Sequence, residues 1–325
     1  MTAPVLEIHL SDSDATAALH HDVRVGLSAD PKWLPPKWFY DARGSELFEQ
    51  ITMLPEYYPT RTERELLRDS AGEIAGQAAA DTLVELGSGS AEKTRLLLDA
   101  LTATGSLQRF VPLDVSESAL RGAATAVAQE YPRLKVHGVV GDFTRHLEFL
   151  SLGRVGRRLV AFLGGTIGNL LPAERAGFFT ALHTVLEPGE LVLLGAGLAI
   201  DPAVLLPAYD DAAGVTAEFN RNVLHVLNRE LGANFDVAAF DHVAVWDAER
   251  EWIEMRLRAR RAMTVWLPAV EMTVQFAEGE EMLTEVSGKF RRAGLAAELA
   301  ACGFEERAWW TDPEDRFALM LAAAA

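Results

Sequence analysis

Four stretches put polar, chemistry-bearing residues at the ends of apolar runs. The first is Leu83-Val84-Glu85-Leu86-Gly87-Ser88-Gly89-Ser90, where an apolar run closes on an acid, a glycine pair and a polar turn that opens a helix. Glycines let a ligand lie against the backbone, and the free N–H groups of a helix start point at it. This is a nucleotide-type turn. It stops short of a full G-x-G-x-x-G, because position 92 is Glu. The third glycine lets a helix pack closely beside a pyrophosphate, and it is missing here.

Glu85, just ahead of the glycines, would repel a pyrophosphate and suits a ligand with a cationic or amino-acid end. S-adenosylmethionine is such a ligand: it has no phosphate, and it carries a sulfonium and an α-amino group. Asp114 ends a second apolar run, where a carboxylate can accept from both ribose hydroxyls; it can equally cap the helix that follows. Asp142-Phe143 ends a third, where an acid and an aromatic suit adenine; a cap with a core Phe is the other reading. Gly164-Gly165-Thr166-Ile167-Gly168-Asn169 ends a fourth, leaving room for a substrate beside the donor, with Asn169 able to donate and accept. A tight turn with an Asn cap reads as well there.

Competing chemistries find little support. There is no H-E-x-x-H, no cysteine pair and no histidine cluster at ligand spacing, so no metal is expected. There is no G-x-S-x-G elbow either.

Strands alternating with helices must position these residues. Strands are expected at 82–86, 108–113, 134–140, 158–163 and 190–194, with helices near 91–102, 117–130 and 173–185 between them. The strands are near-continuously apolar, as in a parallel sheet covered on both faces, so the core is a doubly wound α/β domain. Ahead of it, Lys32 to Tyr40 is aromatic-rich and broken by prolines, and reads as a non-repetitive arm. Leu54-Pro55-Glu56-Tyr57-Tyr58-Pro59 is a proline-bounded turn, and Thr60-Arg61-Thr62-Glu63 reads as a capping box opening a helix to about 79. Beyond 200 the pattern becomes helix followed by short antiparallel strands, a second α+β unit. The last strands return to the main sheet as an antiparallel pair.

The 325 residues are 49% hydrophobic with a net charge of −17, which fits an acidic globular protein and disfavours a nucleic-acid partner. No apolar run is long enough to span a bilayer. The single cysteine, Cys302, fits a reducing cytoplasm, and nothing at the N-terminus reads as a secretory leader.

Longer motifs carry a resemblance. Leu54-Pro55-Glu56-Tyr57-Tyr58-Pro59-Thr60-Arg61, Glu85-Leu86-Gly87-Ser88-Gly89, Thr166-Ile167-Gly168-Asn169-Leu170, Phe219-Asn220-Arg221-Asn222 and Glu280-Glu281-Met282-Leu283-Thr284-Glu285-Val286-Ser287 resemble the S-adenosylmethionine-dependent L-histidine Nα-methyltransferases of ergothioneine biosynthesis. The resemblance covers nearly the whole chain. It implies a Rossmann-like class I methyltransferase domain (60–200 plus 288–325) with an inserted α+β substrate-recognition domain (1–59 plus 201–287). It implies S-adenosylmethionine as cofactor, held by Gly87, Lys93, Asp114, Asp142 and Phe143. Tyr57, Asn169, Tyr209, Glu285 and Ser287 would bind L-histidine, with Tyr57 and Asn169 at the catalytic centre. Without the resemblance, 280–287 reads as the start of a solvated helix.

The family's reaction is three methylations of the α-amine, giving hercynine. Each is an in-line displacement by a neutral amine, which needs alignment and desolvation more than a strong acid or base. Aromatic neighbours such as Tyr57 and Phe48 would favour the cationic product. Where the family usually has Thr-Asp-Leu with a lysine soon after, this chain reads Gly195-Ala196-Gly197-Leu198-Ala199-Ile200-Asp201. The expected enzyme is a cytoplasmic monomer acting on a small molecule, with no membrane partner. The alternatives are N-methylation of another aromatic amino acid, where Glu285 and Ser287 would be left unpaired, and a non-catalytic binding protein. Glu92 in place of a third glycine disfavours a nicotinamide-dependent dehydrogenase.

Overall fold

A computed structural model describes residues 4–10, 12–151 and 156–325. The chain opens with β1 (Val5–Ile8), α1 (Asp12–Ser28), α2 (Ala42–Met53) and α3 (Tyr58–Ala78). An alternating stretch follows: β2 (Thr82–Leu86), α4 (Thr94–Thr104), β3 (Arg109–Asp114), α5 (Glu117–Glu130), β4 (Lys135–Val140), β5 (Arg158–Phe162), α6 (Pro172–Val185) and β6 (Leu191–Gly197). Next come α7 (Pro202–Leu205), α8 (Val215–Leu231), β7 (Phe240–Asp247), β8 (Trp252–Ala259), β9 (Met263–Leu267), β10 (Met272–Phe276) and β11 (Glu281–Gly288). The chain closes with α9 (Arg292–Ala301), β12 (Phe304–Thr311) and β13 (Phe317–Ala324). It divides into two compact units, Met1–Ser11 with Pro59–Ala199 and Phe290–Ala325, and Asp12–Tyr58 with Ile200–Lys289.

The first unit is built on an eight-stranded sheet in the order β1-β4-β3-β2-β5-β6-β13-β12. The strands from β1 to β6 run parallel, and β13 and β12 add antiparallel at one edge. Leu83, Phe110, Leu159 and Leu193 pack one face against Leu67 and Ile74 of α3, Leu97 and Leu101 of α4 and Val127 of α5. On the other face Phe162 meets Phe178 of α6 at 5.2 Å. Burial on both faces is what makes these strands read as continuous apolar runs. Strand order reverses at β2, so the turn after β2 sits at the topological switch point, the position at which open α/β sheets hold ligands.

Two details differ from the sequence reading. The resemblance puts residues 1–59 wholly in the second unit, but β1 pairs with β4 as the sheet's outer strand. A four-residue edge strand has no long apolar run to announce it. Thr60-Glu63 does not start a helix: α3 has begun by Tyr58, and Glu63 lies inside it, fully buried.

In the second unit β11-β8-β7 form one antiparallel sheet and β10-β9 a hairpin. Val223, Leu224 and Leu227 of α8, Ile253 and Leu257 of β8, Phe39 and Ile51 share its core. The proline-broken arm is pinned where Leu34 N donates to Leu283 O (2.8 Å) and Leu283 N to Lys32 O (2.9 Å). Stretch 280–287, which reads in isolation as a helix start, is strand β11.

Candidate active site

At the end of β2, Gly87 and Gly89 have φ of +68° and +48°, and a Cβ at either would meet no atom within 4 Å. Left-handed backbone suits glycine, and the missing side chains leave open space over the turn. Three contacts hold the turn to β3, one of them from Ser88 N to Leu113 O (3.2 Å). Gly87 N donates to Leu113 O (2.8 Å), and Gly89 N to Asp114 Oδ2 (2.9 Å). Asp114 Oδ1 accepts from Ser116 N (2.9 Å), while Ser116 itself caps α5. Asp114 is thus a loop-organising carboxylate whose remaining lone pairs can still accept; burial raises its pKa, against the three backbone N–H groups of Ser116, Gly89 and Val115.

Asp142 Oδ1 accepts from the Thr144 N–H (2.8 Å) and hydroxyl (2.6 Å). Beside it the half-buried Phe143 stands edge-on to Phe162, with centroids 4.9 Å apart. Past β5, Gly164 and Gly165 both take positive φ, and the loop tightens into a 3-10 turn over Thr166–Asn169 that ends on the half-buried Asn169.

Glu85 differs from the charge that its sequence position suggests. Complete burial pushes its carboxyl up to about 8, in spite of the Thr94 hydroxyl that donates to Oε1 and the nearby Lys93 cation. At neutral pH it is mostly an uncharged acid. Among the described residues nothing partners its Oε2 or the Ser88 hydroxyl, both of them buried.

Glu63 is a residue that the sequence reading missed. Its carboxylate binds Lys93 Nζ and accepts from Gly164 N at 2.7 Å. A Cβ on Gly195 would lie 2.0 Å from Glu63 Oε1, so a glycine at this position is what admits this carboxylate. Thr-x-x-Glu ahead of an apolar helix is a capping signature, and it masked a buried acid.

The second unit gathers another polar cluster. The Tyr209 hydroxyl lies 2.8 Å from Ser287 Oγ, and Lys289 Nζ donates to both, at 2.7 and 2.8 Å. Burial raises the Tyr209 pKa, and Glu285, nine-tenths buried on the same strand, adds to the rise. Lys289 is not among the expected site residues; the sequence pattern reads it as the start of a helix to Ala301, which begins instead at Arg292.

A β-bulge explains the grouping. Leu283 pairs with Arg256 and Glu285 with Met255, so Thr284 is the extra residue. After it, Glu285, Ser287 and Lys289 fall at alternate positions and share a face. Thr284 Oγ1 donates to Asn220 Oδ1 (2.6 Å) and Met255 O (2.9 Å). Asn220 Nδ2 in turn meets His242 Nδ1 at 2.8 Å, and His242 Nε2 lies 2.8 Å from Tyr209 O. A carbonyl only accepts, so His242 carries its proton on Nε2. Burial lowers the His242 pKa, in keeping with a neutral ring.

Tyr57 stands edge-on to Phe48 at 6.2 Å, and Phe48 to Tyr40 at 5.7 Å. Asn222, the other Asn of the 219–222 motif, donates to Phe39 O (3.0 Å) and Asp41 Oδ1 (2.8 Å) and fixes the arm. Of the five expected substrate residues, Tyr57, Tyr209, Glu285 and Ser287 lie on the second unit and Asn169 on the first.

The profile of the S-adenosylmethionine-dependent histidine-specific methyltransferases matches residues 19–324. The chain belongs to this family. Among its relatives, a histidine N-alpha-methyltransferase from Mycolicibacterium smegmatis is 57% identical over 97% of this chain and 97% of its own length. The Mycobacterium tuberculosis counterpart is 57% identical over 97% of this chain and 98% of its own. Ergothioneine biosynthesis protein 1 from Neurospora crassa is 34% identical over 62% of this chain and 23% of its own.

This methyltransferase uses S-adenosylmethionine, and the first unit fits that donor on its own terms. The glycine turn leaves room for a ligand on the backbone, and Glu85 Oε2 and Ser88 Oγ are buried polar atoms with no partner among the described residues. Among the described residues no group of three or more His, Cys, Asp and Glu is placed to hold a metal ion. Nor is any helix among them long and apolar enough to cross a membrane.

Proposed function

We propose that this enzyme methylates the α-amino group of L-histidine three times, giving hercynine, with the first unit as the donor domain and the second as the substrate domain. The observation that carries the histidine assignment is the grouping of Glu285, Ser287 and Tyr209, an acceptor beside two hydroxyls, in a chain of the histidine-specific family. An imidazole offers one N–H and one lone-pair nitrogen, and a carboxylate beside a hydroxyl satisfies both.

Bound S-adenosylmethionine supplies an electrophilic methyl group. Gly87 offers backbone to it, Lys93 a cation for its carboxylate, Asp114 acceptors for the ribose hydroxyls, and Asp142 with Phe143 an acceptor and a ring edge for adenine. Asn169 and Tyr57 orient the substrate's amino-acid end. The amine must lose its proton before each transfer, and the Tyr57 hydroxyl is a candidate to pass it on. The aromatic cluster of Tyr57, Phe48 and Tyr40 suits an increasingly methylated ammonium. The proposal includes a monomer working in the cytoplasm.

Glu285→Ala tests the substrate half. The expected result, by calorimetry, is a rise of about tenfold or more in histidine Kd. S-adenosylhomocysteine should bind within about threefold of the wild type. Equal loss of both ligands would remove Glu285 from the substrate site.

A further inference from the structure

Lys289 is nine-tenths buried, yet its ammonium is held by two hydroxyls, those of Tyr209 and Ser287, and no ion pair among the described residues reaches it. A buried ammonium is unfavourable unless it is matched. Burial takes the Lys289 pKa down to about 7, although Glu285 acts in the opposite sense. A hydrophobic residue would serve the fold better, which points to a use for the cation.

The hydrogen bonds define that use. An ammonium only donates, so both hydroxyl oxygens accept from Lys289. Tyr209 and Ser287 also lie 2.8 Å from each other, and one hydroxyl proton closes that contact. The second hydroxyl proton is left to point out of the triangle. The cluster therefore presents a donor, while Glu285 on the same strand face presents an acceptor.

We propose that Lys289 is a positioning residue for substrate recognition: it fixes the Tyr209–Ser287 pair as a hydrogen-bond donor to the lone-pair nitrogen of a neutral imidazole, whose N–H goes to Glu285. This rests on the histidine reading above. It deepens that reading by naming the protonation state and ring pattern that the site accepts. Without the ammonium the hydroxyls are free to rotate and accept, and the site no longer tells a lone-pair nitrogen from a C–H.

The test measures the Kd of histidine, of the two β-pyrrolylalanines and of S-adenosylhomocysteine on wild type, Lys289→Met and Ser287→Ala/Lys289→Met. The pyrrole analogues keep one ring N–H and have no lone-pair nitrogen. Lys289→Met is expected to weaken histidine about tenfold to a hundredfold, the range for a charge-assisted network. The pyrrolylalanines and S-adenosylhomocysteine should each change by less than about threefold. Adding Ser287→Ala should cost histidine binding little more, because the two residues act as one unit.

Histidine binding within about threefold of wild type in Lys289→Met overturns the proposal. So does an equal loss for histidine and the pyrrolylalanines. Should Lys289→Met not fold, Lys289→Gln, which keeps N–H donors, reads the same preference and should retain an intermediate one. Failure of the wild type to bind histidine at all would instead overturn the histidine reading, before Lys289 is at issue.

Discussion

Glu85 shows how far burial sets the chemistry of a single residue. Its carboxyl titrates near 8 rather than at the ordinary 4.5, so the folded chain holds this proton more tightly than the unfolded chain. Its contribution to stability is complete below about pH 4.5 and is lost as pH rises through about 8. Glu85→Gln lacks that titration. The stability of the variant relative to wild type, measured by urea unfolding without ligands, should therefore rise between about pH 5 and pH 9. A constant difference across that window would mean that Glu85 is ionised throughout. Glu63 makes a second residue-scale case. Gly195→Ala would place a Cβ 2.0 Å from Glu63 Oε1, so that oxygen must shift from its place on Gly164 N. The expected loss is about 1–3 kcal/mol, shrinking in a Glu63→Ala background. An equal loss in both backgrounds would show that Glu63 does not set the need for glycine there.

At the scale of elements, β11 carries Glu285 and Ser287, the residues proposed to read the substrate, and its bulge decides which of its residues share a face. Thr284 is the inserted residue, and it anchors to Asn220 Oδ1 and Met255 O. Thr284→Val keeps the shape and removes the hydroxyl proton that Asn220 Oδ1 and Met255 O share. A loss of about 1–3 kcal/mol in urea unfolding is expected, with histidine affinity falling more than S-adenosylhomocysteine affinity. Unchanged histidine affinity would show that the bulge is structural only. The same element explains what could be read in advance. Glu285 and Ser287 are legible through the family motif, whereas Lys289 sits one step beyond it. A period of two from 285 through 287 leads to 289, but only once the stretch is known to be a strand. The charges of Glu280-Glu281 and the irregularity at Thr284 hide that pattern. The β2 turn was plain because an apolar run ends abruptly on glycines, and Glu63 was hidden because Thr-x-x-Glu has a local meaning that tertiary packing overrides.

For the whole molecule, the alternation of apolar strands with helix-length segments was enough for the parallel sheet, since strands buried on both faces have no polar alternation to confuse them. The antiparallel closing pair was legible for the same reason: Phe317 to Ala324 is apolar throughout and buried throughout. β1 was not, being four residues at an outer edge with partial exposure. The change of pattern near 200 marks where the chain passes from one compact unit to the other, and the residues proposed to read a substrate ring, Glu285 and Ser287, are far in sequence from the glycine turn proposed to hold the donor. The central claim is that this methyltransferase takes histidine and carries it to the trimethylated state. The most direct measurement is the product mass after incubation with S-adenosylmethionine and each amino acid singly. The account predicts histidine bearing three added methyl groups and no methylation of tryptophan or tyrosine. Transfer to tryptophan or tyrosine in place of histidine, or no transfer to any amino acid, would contradict it.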